Sequence, residues 1–278
     1  MINFQETIKE FVPLDNQQPM NIIIMAGGEG KRMQSSIPKV LHLFKGSPML
    51  LCIVNAVLQL KPARIIIVAG KHIDLIQDTC SAGLDANTML KIQFVNQPEP
   101  LGTGNAILQA LPYLDKTLIT LILNGDTPAL NSTFLNQTIT EIHDICLRKQ
   151  IPTNKRNFII SCNLDNPFGY GRVITYDKHE DDAEQIAYIV EEKDTSYIEK
   201  TVKKVNTGIY LVNTTSLLSY IPVISNYNAN REYYLTDIVS IALQKDDLFY
   251  TYTIPTNFNH LVKGVNTQAQ LEDLENEI

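Results

Sequence analysis

The chain lacks several features that would assign it to common functional classes. It has 278 residues, a formal charge of −7 and no cluster of more than two or three basic residues, which argues against a nucleic-acid-binding surface. No apolar run approaches the roughly 18 residues that span a bilayer. Residues 1–19 have neither the basic nor the apolar part of a secretion signal. We therefore expect a cytoplasmic protein without a membrane or nucleic-acid partner.

Cysteines are few and are not arranged as a motif. They are Cys52, Cys80, Cys146 and Cys162. Without a C-x-x-C pair, neither a zinc site nor a redox motif is indicated, and we expect buried free thiols.

What the chain does have is a regular alternation of apolar strand-like runs and helical patterns. Strands are predicted at 21–25, 64–69, 91–95 and 118–123, and helices at 48–60, 72–82, 104–111 and 131–149. This alternation predicts an α/β class with a Rossmann-like, mostly parallel mixed sheet and helices on both faces. Ligands of such sheets bind at the carboxyl ends of the strands.

Beyond residue 150 the pattern is richer in strands. Strand-like segments at 157–163, 171–176, 185–191 and 204–213 are followed by a helix at 234–244, a strand near 249–254 and a closing helix at 267–277. An acidic run at 180–184 is interpreted as a solvated hairpin tip. We predict one domain over 20–278, with a first part at 20–150 and a β-rich second part at 151–278. Residues 1–19 are predicted to be an extension, with a short helix at 3–12 and a Pro-bounded linker.

The most informative stretch is the segment 25–39, MAGGEGKRMQSSIPK, at the end of the first strand. Gly27, Gly28 and Gly30 leave a loop with little side-chain bulk, whose backbone N–H groups can approach a polyphosphate closely. Arg32 and Lys39 add the positive charge that a polyphosphate requires. The stretch therefore predicts a nucleotide site, and the alternative is a tight turn that binds nothing.

Two other nucleotide-binding motifs fail on spacing. A dinucleotide fingerprint requires G-x-G-x-x-G/A, but Met33 stands at its last glycine place and the acid expected about 20 residues further on is missing. A Walker loop requires G-x-x-x-x-G-K-[ST], but Met25 stands at its first glycine place and Arg32 at its hydroxyl place. An NAD-dependent oxidoreductase is thereby excluded.

Asp126 is the best candidate for a metal ligand. It follows the apolar run at 118–123 through Asn124 and Gly125, so a lone carboxylate stands at the mouth of that strand. Mg²⁺ needs only one or two protein oxygens beside phosphate and water. The alternative is that Asp126 merely opens the turn Gly-Asp-Thr-Pro.

A second glycine-bearing loop, at 97–104, precedes a helix that begins near Asn105. Gln97 offers both a donor and an acceptor, which suits the edge of a uracil or thymine ring. Thr103 has two open interpretations, a helix cap or a ligand contact.

In combination these motifs resemble the sugar-1-phosphate nucleotidyltransferases, whose opening signature is G-x-G-T-R-M…P-K. Their order resembles the uridyltransferase domain of the GlmU-type N-acetylglucosamine-1-phosphate uridyltransferases from Asn21 to about Leu274. Beside the opening loop, the matching stretches are 97–104, 124–126, 168–172, 189–194, 205–208, 232–237 and 264–266. The sequence Glu-Glu-Lys-Asp at 191–194 favours this group over thymidylyl- and guanylyltransferases, which tend to carry Glu-Lys-Pro there.

The resemblance implies a role for each site residue. Arg32 and Lys39 would be catalytic, holding the triphosphate and stabilising charge on the transferred group, and Asp126 and Asn266 would bind Mg²⁺. The nucleotide would be bound by Ala26, Gly27, Gly28, Gly30, Gln97, Gly102 and Thr103. The sugar would be bound by Gly171, Glu191, Asn206, Tyr234 and Thr236. The alternatives for the second set are a turn at 206–208 and a core pair at 233–234.

The implied reaction is uridylyl transfer from UTP to N-acetylglucosamine 1-phosphate, with 20–150 as the nucleotide-binding part and 151–278 as the sugar-binding part. The alternatives are the same chemistry with another sugar 1-phosphate or dTTP, or a sensor that binds a sugar nucleotide without catalysis. The sequence departs from the family at Lys31, where Thr is usual, and at Asn105, where His is frequent. The extension at 1–19 has no counterpart. No hexapeptide repeat follows residue 266, so a left-handed β-helix acetyltransferase domain and its trimer are not expected, and a monomer or homodimer is.

Overall fold

The computed structural model describes residues 19–28, 30–33, 35–176 and 183–278. The predicted helix at 3–12, nearly all of the linker and most of the acidic run at 180–184 lie outside these residues. The strands are β1 (Asn21–Met25), β2 (Leu43–Phe44), β3 (Ser47–Pro48), β4 (Arg64–Ala69), β5 (Ile92–Asn96), β6 (Ile119–Asn124), β7 (Phe158–Asn163), β8 (Arg172–Thr175), β9 (Glu184–Val190), β10 (Lys204–Asn213) and β11 (Tyr250–Thr253). The α-helices are α1 (Met49–Leu58), α2 (Ile73–Gly83), α3 (Ala86–Met89), α4 (Thr103–Ala110), α5 (Ser132–Arg148), α6 (Thr214–Tyr220), α7 (Ile238–Leu243) and α8 (Gln268–Glu277).

β1 shows why the sheet is covered on both sides. Its consecutive isoleucines are all fully buried, with Ile22 and Ile24 in one core cluster and Ile23 in the other. Successive side chains of a strand point to opposite faces, so a strand that is apolar at every position needs a layer of helices on each face. Helices α1, α5 and α8 contribute to the first cluster, and α4, α6 and α7 to the second. The predicted α/β class with helices on both faces is confirmed.

Within the described residues the main sheet has nine strands in the order β5-β4-β1-β6-β10-β7-β11-β9-β8. The first four pair in parallel. From β6 onward the pairs are antiparallel, except for the parallel pair of β7 and β11. The sheet is therefore mixed as predicted, and its parallel pairs lie mainly in the first part of the chain.

Two elements of the second part differ from the sequence prediction. The helix expected at 234–244 begins as a 3₁₀ turn at Leu235–Asp237 and continues as α7. The sequence prediction did not include helix α6, which is only seven residues long and begins with the polar residues Thr214, Thr215 and Ser216. Asn213 ends β10 and caps α6, since its side chain accepts a hydrogen bond from the Thr215 amide. Asx capping of this kind is the local signal that periodicity alone misses.

The four cysteines are free thiols, three of them buried, as expected. No helix within the described part of the chain is long and apolar enough to cross a membrane.

Candidate functional site

The parallel strands end at one crevice. The loop after β1, Gly70 after β4, Gln97 after β5 and Asp126 after β6 line two adjoining cavities there. The larger of these, of about 320 Å³, meets a further cavity of about 340 Å³ around Asn124 and Asp126. The first is lined by five of the predicted nucleotide-side residues and the second by most of the predicted sugar-side residues. Ala26 lines the smaller adjoining cavity, and Gly30 lines none of the three. The structure thus places the glycine-rich loop and Asp126 in one crevice, where a sheet of this type binds its ligands.

Two glycines of the opening loop serve different purposes. Gly30 has φ +61°, and a Cβ atom there would lie 2.6 Å from the Lys39 Cβ, so this glycine allows the loop to close against Lys39. A Cβ atom on Gly28 would meet nothing within 4 Å. The protein's own packing therefore does not require glycine at position 28, and its backbone is open to the crevice.

Four polar side chains converge where the two cavities meet. The Lys39 Nζ donates to Asp126 Oδ2 and, at 3.1 Å, to Asn266 Oδ1. Arg32 Nη2 donates to the same Asn266 oxygen at 3.0 Å. The two predicted cations and the two predicted metal ligands, which are up to 234 positions apart in the sequence, therefore form one cluster.

Local contacts around Lys39 and around Asn266 hold this cluster in place. Lys39 opens a 3₁₀ turn whose other residues, Val40 and Leu41, are buried. The carbonyl of Asp126 accepts a hydrogen bond from the Val265 amide at 2.8 Å, which brings Asn266 beside Asp126. Gln270, which sequence reasoning missed, accepts a hydrogen bond from the Asn266 amide at 2.8 Å.

The oxygen atoms that surround Lys39 are suitable ligands for a hard cation such as Mg²⁺. Asp126 and Asn266 supply one carboxylate and one amide oxygen. Both oxygens accept a hydrogen bond from the Lys39 ammonium, and the Asn266 oxygen also accepts one from Arg32. Oxygen ligands of this kind are those that Mg²⁺ prefers. Among the described residues no group of three or more His, Cys, Asp and Glu side chains lies close enough to hold a metal.

Thr103 does not cap helix α4. The N-cap is Gly102, with φ +109°, and Thr103 is the first helical residue. Its hydroxyl instead accepts a hydrogen bond from the Leu235 amide at 3.0 Å. The helix-cap interpretation is wrong, because the local turn is made by glycine and the threonine oxygen is used by a distant loop.

Tyr233 joins the loop before α4 to the segment at 232–237. Its amide donates to the Leu101 carbonyl at 2.8 Å, and its carbonyl accepts from the Gly104 amide at 2.7 Å. A Cβ atom on Gly102 would lie 2.6 Å from this carbonyl. The loop before α4 therefore packs directly on the segment at 232–237, and only glycine fits at the contact.

The second cavity is lined by Gly171, Glu191, Asn206 and Thr236. Thr236 Oγ1 donates to Glu191 Oε1 at 3.0 Å. Burial raises the pKa of the Glu191 carboxyl, the Thr236 hydrogen bond opposes that shift, and nearby acidic groups add to it. The structure thus brings a half-buried carboxyl group into the cavity wall.

Asn206 lies in a bulged strand and not in a turn. The register of β10 against β7 shifts between Asn206 and Ile209. The Asn206 side chain accepts from the Gly208 amide at 3.0 Å and donates to the Tyr210 hydroxyl at 2.8 Å. A bulge re-aims a side chain without ending the strand, which places Asn206 in the cavity wall. The turn interpretation is wrong.

Tyr234 occupies a different position from the other predicted sugar-side residues. It is 7% exposed, and its neighbours Leu235 and Thr236 line the cavity in its place. Burial raises the pKa of its hydroxyl to about 12. The structure therefore places Tyr234 behind the cavity wall, which agrees with the core alternative.

A buried ion pair was missed by sequence reasoning. Arg172, 2% exposed, bonds Glu192 Oε2 at 2.7 Å and also donates to the Tyr170 carbonyl. The Gly169 amide donates to the same Glu192 oxygen at 3.1 Å. The pair fixes the loop at 168–172, which lines the second cavity. Both residues lie in motifs that matched the family, but nothing in their spacing of 20 positions predicted the contact.

Comparison with known proteins gives relatives over nearly the whole chain. Residues 22–153 match the family model described as the MobA-like NTP transferase domain. A protein named bifunctional protein GlmU from Burkholderia vietnamiensis is 37% identical over 256 residues, or 92% of this chain and 51% of that protein. A protein named probable UDP-N-acetylglucosamine pyrophosphorylase from Acanthamoeba polyphaga mimivirus is 38% identical over 256 residues, or 91% of this chain and 94% of that protein. The chain spans about half the length of the GlmU relatives that it matches.

Solved structures show the same fold at low identity. A UDP-glucose pyrophosphorylase complexed with UDP-glucose superposes with a TM-score of 0.70 at 15% identity, covering 94% of this chain and 98% of that one. A putative glucose-1-phosphate thymidylyltransferase from Bacillus anthracis gives a TM-score of 0.66 at 18% identity, covering 93% of this chain and 94% of that one. At these identities the likeness extends to the fold alone, and it supports the mixed α/β architecture.

Proposed function

We propose that this chain, which belongs to the nucleotidyltransferase family that includes GlmU and the mimivirus UDP-N-acetylglucosamine pyrophosphorylase, transfers a uridylyl group from UTP to N-acetylglucosamine 1-phosphate. The products are UDP-N-acetylglucosamine and pyrophosphate. The observation that carries the proposal is the convergence of Arg32, Lys39, Asp126 and Asn266 between the two cavities. A relative of matching length, at 38% identity, carries the name of this activity.

The chemistry asks for positioning and charge more than for covalent work. An oxygen of the sugar phosphate attacks the α-phosphorus of UTP, and the bond from that phosphorus to the β-phosphate oxygen breaks. Pyrophosphate leaves in line with the attack. Because the attacking phosphate is already an anion, no general base is required. Arg32 and Lys39 stabilise the negative charge that develops on the transferred group and the leaving group.

Asp126 and Asn266 are the residues that would hold a Mg²⁺ ion. The ion supplies neutralisation of charge at the phosphates when it is bound. In this arrangement Lys39 bonds both candidate ligands, so the ammonium and the ligand oxygens stand within reach of the same phosphate.

The nucleotide side is assigned to the loop at 26–30 with Gln97, Gly102 and Thr103. Open backbone at Gly28 allows close approach of a phosphate. The acceptor and donor of Gln97 suit the base edge.

The sugar side is assigned to Gly171, Glu191, Asn206 and Thr236. Glu191 accepts hydrogen bonds and Asn206 both accepts and donates, which suits the hydroxyl and amide groups of a neutral acetamido sugar. Tyr234 supports this wall from behind.

The test is a coupled pyrophosphate-release assay on the purified chain. We expect turnover with UTP, N-acetylglucosamine 1-phosphate and Mg²⁺, and no turnover after chelation of the metal. Profiling UTP against dTTP, and several sugar 1-phosphates against each other, identifies the preferred pair by kcat/KM. Absence of turnover with every pair would overturn the proposal. Tight UDP-N-acetylglucosamine binding without turnover would instead indicate the sensor.

A further inference from the structure

The side chain of Gln97 is held in one orientation by two acceptors. Gln97 is 6% exposed, and its Nε2 donates to the Gly102 carbonyl at 3.1 Å and to Asn105 Oδ1 at 3.0 Å. A primary amide nitrogen carries two hydrogens, so these bonds use both of them.

The orientation of this amide follows from the chemistry of its partners. A backbone carbonyl only accepts hydrogen bonds, so the group of Gln97 that faces the Gly102 carbonyl must be the NH₂ group. The amide oxygen Oε1 then lies on the opposite side, against the glycine-rich loop. A Cβ atom on Gly27 would be 2.7 Å from this oxygen. Gln97 lines both cavities on the nucleotide side.

We propose that Asn105 is a positioning residue that selects uridine over cytidine nucleotides by fixing the Gln97 amide. The inference rests on the proposed function and deepens it, since it concerns base choice at the same site. With Nε2 occupied, Gln97 presents only the acceptor Oε1 to a base. The N3 atom of uracil carries a hydrogen and donates to such an oxygen, whereas N3 of cytosine is an acceptor and is repelled. Sites that hydrogen-bond a ligand group reject analogues that leave the buried partner unpaired.

Of the two acceptors that hold Gln97, only the Asn105 oxygen belongs to a side chain, so only this one can be removed by substitution. It lies in the first turn of α4, half-buried, so a substitution there leaves the core in place. Without its oxygen, one hydrogen of Nε2 loses its partner, and the amide is held by the Gly102 carbonyl alone. The amide then turns more easily toward the orientation that suits cytosine.

The experiment compares Asn105→Leu, Asn105→Ala and Asn105→Asp with the wild type. Leucine has a similar size but no acceptor, and alanine tests for a packing effect of leucine. Aspartate keeps an oxygen acceptor, and its charge in the first helical turn is favourable. Dissociation constants for UTP and CTP are measured by calorimetry with Mg²⁺, alongside kcat/KM for both nucleotides and KM for the sugar phosphate.

We expect the preference for UTP over CTP to fall about tenfold in Asn105→Leu and Asn105→Ala. Asn105→Asp should keep the wild-type ratio, because its charge affects both triphosphates equally. KM for the sugar phosphate should not change. A wild-type ratio in the leucine and alanine variants would overturn the inference. Loss of the ratio in the aspartate variant to the same extent would also overturn it.

The outcome separates this inference from the proposed function. If the wild type prefers UTP in binding but turns over no sugar phosphate, the proposed function fails and the role of Asn105 is still decided by the binding ratios. If turnover is seen and the ratios do not move, only the role of Asn105 fails.

Discussion

The two sides of the crevice hold their ligand-facing groups by different means. On the proposed nucleotide side the loops are held mainly by the backbone: the amides of Ala26, Gln97 and Gly125 donate to carbonyls of neighbouring parallel strands at 2.7–2.9 Å. The bond from the Gln97 side-chain amide to Asn105 is a side-chain contact on this side. On the sugar side the holding contacts run between side chains: Thr236 with Glu191, Arg172 with Glu192, and Asn206 with Tyr210.

This difference determines how each side responds to substitutions and to pH. A site built from strand ends depends mainly on glycine and on the register of the sheet, and side-chain pairs such as Gln97 with Asn105 adjust it locally. A site built from paired side chains depends on charge and burial, so single substitutions and pH act on it directly. Four substitutions distinguish these sensitivities.

Asp126→Asn acts where the two sides meet and should reduce kcat by roughly 10²–10⁴. The substitution removes the charge that faces Lys39 and weakens a candidate metal ligand. Thermal unfolding should change little, because Lys39 keeps the Asn266 oxygen as a hydrogen-bond partner. Steady-state kinetics and calorimetry check both parts. The matched control is Asp165→Asn, which breaks the exposed pair with Lys203 and should leave kcat unchanged. An Asp126→Asn enzyme within threefold of wild type would remove Asp126 from the proposed site.

Glu192→Ala should destabilise the sugar side by about 3 kcal/mol, since it leaves the buried Arg172 guanidinium without its carboxylate. Urea unfolding measures this loss. KM for the sugar phosphate should rise, because the loop at 168–172 loses its anchor, whereas the affinity for UTP should hold. The control is Lys203→Ala in the exposed pair, which should stay within about 0.5 kcal/mol of wild type. An equal loss of UTP affinity would contradict the separation of the two sides.

Gly28→Ala should weaken UTP binding about tenfold, equivalent to 1.4 kcal/mol, without changing the melting temperature. A Cβ atom there meets nothing within 4 Å in the protein, so any effect comes from the ligand. Gly30→Ala is the matched comparison. It forces strain at φ +61° and a clash with Lys39, so it should lower both binding and stability. Calorimetry with UTP and thermal unfolding distinguish the two variants, and a destabilised Gly28→Ala protein would disprove the assignment.

Asp237→Asn should stabilise the protein by a small amount that grows with pH. Burial, and then the nearby Asp194 carboxylate, raise the pKa of Asp237 from 3.8 to about 6. The folded state therefore binds this proton more tightly than the unfolded state, and the associated stability is present below pH 3.8 and lost as pH rises through about 6. In the Asp237→Asn variant the side chain stays neutral at every pH, so the variant does not lose this stability as pH rises. Melting temperatures of variant and wild type should diverge between pH 4.5 and 7.5, most steeply near pH 6. A constant difference across this range would show that Asp237 does not titrate as described.

The contrast also explains what could be predicted from the sequence. Strands β1 and β6 are apolar runs that end in Gly-rich or Gly-Asp segments, and parallel strands end at one edge, so Lys39 and Asp126 could be expected in one crevice. The pairing of Glu191 with Thr236 joins residues 45 positions apart through loops without periodicity. The bulge at Asn206 and the burial of Tyr234 depend on the packing of several elements. Thr103 shows the same limit, because its partner Leu235 is 132 positions away.

The bridge through Tyr233 has a consequence for engineering. Its amide and carbonyl bond Leu101 and Gly104, so the segment at 232–237, proposed to serve the sugar, and the loop at 101–104, proposed to serve the base, form a single structural module. Transplanting the 232–237 segment from another transferase to alter sugar choice would displace the start of α4 unless residues 101–104 were exchanged with it. Chimeras should therefore be cut outside both stretches, and those that divide the module should lose nucleotide affinity along with the intended sugar specificity.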